Sequence, residues 1–412
     1  MNKAVILRDF VLSQGMPRGN SVRLLLPDVC DADRRAGGLY NPSVFAVGDD
    51  LRISFRHAPQ IFVVRRDDFG GYALRSVPPI QQCSAMHSEI YYCEATARDN
   101  YLPGHTSNLF PGFTDTLDNH VKSVEDFRFS EVSGSVVKGY CCVPGDGYRN
   151  VTMYLMARDL KNGDIVSVPL ESPARYEKNW SPVLDGSGRV LYSPRAETPV
   201  VLGQGGGFPV LPDTAVPVGR YRGSTQTIPY GDGYLTIWHC TEGLAYMRKW
   251  QYWHVFVLMD RDLCVKSISE PFLFDGFPVE FACGLAFAGG LLHVTYSVMD
   301  ALPFHLTMTP DTLDAFFSRR HSPSLTPLAV PELYEDVLRR VAGAGWVYPY
   351  FNICQVIAAH TPDVRKAGHY YKRAMGVIPL IEFPYADNAD NQRESLVLET
   401  ARQIQRMKII YK

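Results

Sequence analysis

No stretch of the sequence approaches the roughly 20 apolar residues that a membrane-spanning helix needs, so no membrane span is expected. The first apolar run, Ala4 to Leu7, stops at Arg8-Asp9 and is too short for the core of a secretory signal. A soluble, cytoplasmic protein is the expectation. An excess of charge is also missing: 41 Lys and Arg against 43 Asp and Glu leave a net charge of −2. Without a basic surplus, neither nucleic acid nor anionic lipid is a default partner. The nine cysteines show no Cys-x-x-Cys or zinc-ligand spacing, and their odd number favours reduced, buried thiols over a disulfide framework. No metal and no cofactor are therefore expected. The Gly-x-Ser-x-Gly elbow, the His-Glu-x-x-His zinc motif and the Rossmann fingerprint are all lacking. Gln204-Gly205-Gly206-Gly207 has no strand-to-helix context and no following Lys-Ser/Thr, so it is not a phosphate loop.

What the 412 residues do contain is 33 Gly, 29 Pro and 12% aromatics, a mixture suited to many short strands and tight turns. Five Gly-containing turns are each followed by an alternating strand. They are Gly48-Asp49 before LRISFR, Gly134-Ser135 before VVKGYCCV, Asp185 to Gly188 before RVLYS, Gly231-Asp232 before YLTIWH, and Gly289-Gly290 before LLHVTYS. Such pairs supply the positive φ that tight hairpins demand, and the period-2 pattern after them marks half-buried strands. The turns are spaced by 85, 53, 45 and 57 residues. The last three spacings fit one four-stranded blade each, and the first fits a blade plus an insertion.

A distinctive residue precedes each turn at a nearly constant offset. Asn41, Asp126, Ser224 and Phe281 (beside Glu280) lie eight residues before Asp49, Gly134, Asp232 and Gly289, and Lys178 lies nine before Ser187. A β-sandwich gives no reason for that constancy. A propeller does, because the innermost strands all start at one mouth of a central channel. The fold class expected is all-β, a five-bladed propeller over residues 1–325, with an insertion at 81–120 that shows few clean strands. From 326 to 412 the spacing of Leu333, Val337, Leu338 and Val341, and later the run from Glu394 to Met407, predict a mostly helical extension. That extension is expected to pack on the propeller or to join subunits into a homo-oligomer.

Four clusters could carry chemistry. In Glu125-Asp126-Phe127-Arg128, strand alternation places Asp126 and Arg128 on one face and Glu125 on the other. A guanidinium lowers a carboxyl pKa and burial raises it, and a structural Asp–Arg pair is the competing reading. Lys178-Asn179-Trp180 can bind an anion, donate to hydroxyls and stack on a sugar, or simply lay a lysine stem over a core tryptophan. In Arg222-Gly223-Ser224-Thr225-Gln226 a glycine allows close approach to a ligand, and Ser224 and Thr225 offer neutral donors. His239 ends one strand while Tyr252 and His254 begin the next, so a hairpin can bring their rings together.

In order and spacing over residues 40–300, these segments resemble the five-bladed propellers of glycoside hydrolase family 130 and its relatives. Asn41-Pro42, Glu125-Asp126-Phe127-Arg128, Lys178 to Pro182, Gly223-Ser224-Thr225 with His239, and Phe281 to Gly284 stand at the family's motif positions. The family includes inverting β-mannoside phosphorylases, some hydrolases and related β-mannosyltransferases. The resemblance implies a carbohydrate substrate, with phosphate or a sugar nucleotide as co-substrate. Asp126 would be the general acid, and Lys178, His239, Tyr252 and Arg149 would hold the anion. Arg56 would line the pocket, and Asn41, Glu125, Arg128, Asn179, Trp180, Ser224, Thr225 and Glu280 would contact the sugar. Phe127 replaces the family's proline beside the acid. The expected function is inverting glycosyl transfer on mannoside-like sugars. The alternative is a non-catalytic propeller that binds glycan or protein.

Overall fold

A computed structural model describes residues 5–15, 22–25, 38–58, 61–66, 72–77, 87–117, 122–145, 150–170, 178–192, 200–202, 221–244, 249–275, 279–298, 302–319 and 363–380. Scattered positions between 338 and 361 and between 397 and 405 are described as well. In chain order, β1 (Val5–Ile6) leads into helix α1 (Leu7–Ser13), followed by β2 (Val22–Leu24). Blade one then contains β3 (Gly38–Val47) and β4 (Asp50–Ala58). It continues, after a separate hairpin of β5 (Ile61–Arg66) and β6 (Tyr72–Val77), with β7 (His87–Ala95) and β8 (Ser107–Asn108); β9 (Lys122–Ser123) pairs in parallel with β7.

Blade two is the meander β10 (Glu125–Ser133), β11 (Val136–Pro144), β12 (Val151–Asp159) and β13 (Ile165–Pro169). Blade three holds β14 (Ser181–Pro182), β15 (Val190–Tyr192) and β16 (Val200–Leu202). Blade four centres on β19 (Gly233–Leu244) and β20 (Lys249–Met259). The short β17 (Arg222–Gly223) and β18 (Ile228–Tyr230) flank it on the inside, and β21 (Val265–Ile268) and β22 (Phe272–Leu273) on the outside. Blade five is β23 (Glu280–Ala288), β24 (Leu291–Val298) and β25 (Leu302–Met308), completed by β2 from the N-terminus.

The five predicted turns are the links between the first and second strands of the five blades. Gly231, at φ 57°, shows why glycine is needed: the link between Tyr230 and Gly233 leaves only two residues to reverse the chain. The first strands close into a ring. β3 lies against β10 and β23, and β10 against β14. The ring passes from blade three to blade four through a parallel bridge between Val183 and Thr227, and β18 then meets β23. Pairing of β2 with β25 ties the N-terminal segment to the last blade, which protects the circular arrangement from opening at its seam.

Gln226 stitches the axis. Its Nε2 donates to Ser43 Oγ (2.8 Å) and to the Val44 carbonyl (3.0 Å), and its Oε1 accepts from the Leu285 amide (3.2 Å). One fully buried amide thus joins blades one, four and five.

Two expectations about organisation change. Residues 81–120 are not poor in strand: β7 occupies His87–Ala95 and is the third strand of blade one. Its two aromatic neighbours, Tyr91 and Tyr92, are both buried, so apolar residues face both sides and the period-2 signal is blurred. The extra length of blade one lies largely in the β5–β6 hairpin. In the tail, helices α2 (Pro310–Phe317) and α3 (Val364–Val377) are described. Helix α2 begins before residue 326, capped by Thr309, whose Oγ1 accepts from the Thr312 amide. Leu333, Val337 and Val341 lie outside the described residues. Leu313 and Phe316, with Leu338, Phe351, Ile357, Tyr370, Tyr371 and Ala374, share one apolar cluster with α1 and blades four and five. Among the described residues of the tail these side chains are covered within the chain, while Leu380 and Leu398 stay exposed.

Candidate active site

Three site residues have the same unusual backbone. Asn41, Asp126 and Asn179 stand at φ 47°, 52° and 68°, each eight residues before its blade's turn. Asparagine and aspartate tolerate the left-handed region better than other side-chain-bearing residues. In blades one and two the register of the first strand slips at this point, between Tyr40 and Ser43 and between Glu125 and Arg128. The bulge re-aims the side chain at the strand's head. In blade three, Asn179 rather than Lys178 takes the repeated position, which resolves the irregular offset of nine seen in the sequence.

The bulge also overturns the expected alternation. Glu125 and Asp126 do not face opposite sides; both carboxylates meet the same two cations. Arg56 donates through Nη2 to Glu125 Oε1 and lies 3.7 Å from Asp126 Oδ1. Lys178 Nζ is 3.2 Å from Glu125 Oε2 and 3.5 Å from Asp126 Oδ2. Asn41 Nδ2 donates to Asp126 Oδ1 at 2.7 Å, and Ser297 Oγ donates to Asn41 Oδ1 at 2.6 Å. Arg128 donates through Nε to the Ser224 carbonyl (2.6 Å) and through Nη1 to the Asp126 carbonyl (3.1 Å), and it lies over the Phe281 ring. Phe281 packs edge-on against His239, which stacks on Tyr252. Residues from all five blades therefore meet at one end of the axis.

The electrostatics follow from this packing. Burial alone would raise the Asp126 pKa, but Lys178, Arg56 and Arg128, together with the Asn41 hydrogen bond, hold it well below the usual carboxylate range. Burial opposes the charge on Lys178 as well, yet Glu125 and Asp126 keep it protonated. Its side chain is 28% exposed, against 2% for Asp126, so the lysine is the part of the cluster open to solvent. His239 is held neutral, first by burial and then by His254, Arg128, Arg222 and Lys178.

Buried donors and acceptors without partners point to where a ligand would sit. Among the described residues these include Arg128 Nη2, Asn179 Oδ1 and His239 Nδ1, all belonging to this cluster. Glu125, Asp126 and Cys142 bring possible metal-ligating atoms within 4.8 Å of one another. Both carboxylates are already engaged by cations, and burial pushes the Cys142 thiol up, away from the thiolate a metal needs.

Several expected site residues sit elsewhere. The Trp180 ring is packed with Cys142, Val151, Met153 and Val190 and is 1% exposed, which leaves no face for a sugar. Glu280 accepts from the amides of Phe274 (2.6 Å) and Asp275 (2.9 Å), so its carboxylate caps a loop. Thr225 Oγ1 bonds the Gln226 carbonyl and the Ile237 amide, and Ser224 Oγ donates to the Ala282 carbonyl. The Ser224 hydroxyl ties blade four to blade five, the Thr225 hydroxyl braces blade four internally, and both residues are fully buried. Arg149 lies outside the described residues. Ser297 had no signal in the sequence beyond its place in an alternating strand. Phe127 turns into the core beside Phe110 and Phe129, so the residue that replaces the family's proline does not enter the site.

The solved structures similar to this chain include β-1,2-mannobiose phosphorylase from Listeria innocua, determined with β-1,2-mannobiose. It is 14% identical with a TM-score of 0.47, and the match covers 73% of this chain and 94% of that one. The protein is similar in fold to proteins of glycoside hydrolase family 130. A mannose phosphorylase from Leishmania mexicana, determined with phosphate, is 13% identical with a TM-score of 0.42, over 76% of this chain and 96% of that one. A glycosyl hydrolase from Bacteroides ovatus is 11% identical with a TM-score of 0.46, over 67% and 85%. No family model and no curated protein matches the sequence.

Proposed function

We propose that the protein is a carbohydrate-active enzyme that transfers a mannoside-like glycosyl group with inversion, inorganic phosphate or a sugar nucleotide being the co-substrate. The observation that supports this reading is Asp126 on the propeller axis, flanked by two cations that it shares with Glu125. An incoming anion competes for Lys178 and Arg56. As they turn toward it, burial and the incoming negative charge raise the proton affinity of Asp126 against Arg128 and the Asn41 hydrogen bond, and Asp126 takes up a proton from solvent to become the acid. A phosphate oxygen then attacks the anomeric carbon from the face opposite the scissile bond. The glycosidic C–O bond breaks, and the Asp126 proton goes to the departing oxygen.

The spacing of the second carboxylate argues against inverting hydrolysis with Glu125 as the base. An inverting hydrolase separates its acid and base by roughly 6.5–9.5 Å to admit a water molecule. Glu125 offers an oxygen within 4.8 Å of Asp126 and is tied to Arg56 and Lys178. Phosphate needs no such base.

The test is incubation of the purified protein with β-mannosides plus phosphate, and separately with sugar nucleotides plus acceptor sugars, reading sugar 1-phosphate or free nucleotide. Turnover is expected in one arm, and Asp126→Asn is expected to lose roughly 10²–10⁴-fold of it while remaining folded. Full activity in that variant removes Asp126 from its role. Silence in both arms with sugar binding retained makes the propeller a binding module.

A further inference from the structure

The two-residue strand β17 carries a cation with no evident structural work. Arg222 lies directly across from His239, which lies across from His254. Cross-strand neighbours project from the same face of a sheet, so Arg222 shares the face of the imidazole that stacks on Tyr252. Gly223 lets this short strand press against blade three: a Cβ there would come 2.3 Å from the Asn179 carbonyl oxygen. The backbone of β17 is thereby held between β19 and the Asn179 segment.

Arg222 is half-buried, and among the described residues nothing of opposite charge pairs with it. Glu125 and Asp126 are engaged by Arg56 and Lys178. Arg128 donates only to carbonyls, and its buried Nη2 has no partner. His239, across the strand from Arg222, is 4% exposed with Nδ1 unpartnered. Arg128 and Arg222 are both near enough to disfavour its protonation. Two cations near a neutral ring repel one another, and that repulsion is relieved when an anion enters.

We propose that Arg222 is a further anion-binding residue of the site, gripping a phosphoryl group together with Arg128 and His239. The inference rests on the glycosyl-transfer reading for the identity of the anion. It adds a guanidinium from blade four whose planar fork suits two phosphate oxygens. It also accounts for a half-buried charge placed where it costs stability in the empty protein.

The experiment is titration of wild type and Arg222→Gln with inorganic phosphate, by calorimetry and by the rise in melting temperature. Loss of one charge-assisted contact is expected to weaken phosphate binding by roughly ten- to a hundredfold. The melting temperature without phosphate is expected to hold or rise, because a repulsive charge is gone. Equal phosphate affinity in the two proteins overturns the role of Arg222 and leaves glycosyl transfer standing. So does a lower melting temperature with an unchanged phosphate increment, since Arg222 is then structural. A wild-type protein that does not bind phosphate overturns phosphorolysis and the role of Arg222 together.

Discussion

Asn41 and Asp126 meet at 2.7 Å across the boundary between blades one and two, each at the head of its innermost strand and each in the left-handed region. The Asn41 amide is itself fixed by Ser297 of blade five. Three blades therefore set the position of a single carboxylate oxygen. An amide in this place supplies a donor without a charge, so it lowers the Asp126 pKa only through the hydrogen bond.

Asn41→Asp keeps a residue that tolerates positive φ and nearly the same shape, but it replaces the donor by a like charge. The Asp126 titration is expected to move up as the two carboxylates repel, and turnover at neutral pH to fall by at least roughly tenfold because the added negative charge disfavours entry of the anionic co-substrate. Carboxyl titration followed by NMR, alongside the pH profile of turnover, checks both effects. An Asp126 midpoint that moves down contradicts the geometry.

Legibility in the sequence divides along physical lines. The hairpin turns could be read because a two-residue link between strands admits few residue types, and Gly231 and Gly289 are among them. The polar heads of blades one and two could be read because they keep a fixed distance from those turns. The shared cations of Glu125 and Asp126 could not be read, because a left-handed residue cancels strand alternation at that point and no composition rule announces it. Trp180 and Glu280 misled for a different reason: a tryptophan and a glutamate look alike in sequence whether they face a ligand or a core. Ser297 acts through Asn41, far away in the chain, and such pairing is visible only once the sheets are closed.

Two buried histidines make stability depend on acid. Burial lowers the His254 pKa from 6.5 to about 3, and His239 is lowered as well. A base whose folded pKa is depressed binds its proton more readily when unfolded. Its contribution to stability is complete above pH 6.5 and is lost as the pH falls toward 3. For one group the slope reaches about 1.4 kcal/mol per pH unit. His254→Gln keeps a polar side chain at this site and removes the titration. Denaturant unfolding at several pH values between 6.5 and 3 is expected to show a slope shallower by up to one proton than in the wild type. Parallel slopes in the two proteins rule out His254 as the source.

Gly284 marks the closest approach of blades one and five. It sits at the register shift of β23, and a Cβ added there would lie 2.5 Å from the Val44 amide nitrogen and 2.2 Å from Thr295 Oγ1. The first contact is backbone and cannot rotate away. The second is a hydroxyl that donates to the Pro42 carbonyl, next to Asn41. Gly284→Ala must push β3 and β23 apart or break that bond, at a cost of about 1–3 kcal/mol or more. The midpoint of denaturant unfolding is expected to fall accordingly. Because Pro42 follows Asn41, the displacement is expected to reach Asp126 and reduce turnover even at temperatures where the variant is fully folded. A variant that loses stability while keeping wild-type turnover would show that the seam between these blades and the acid are mechanically independent.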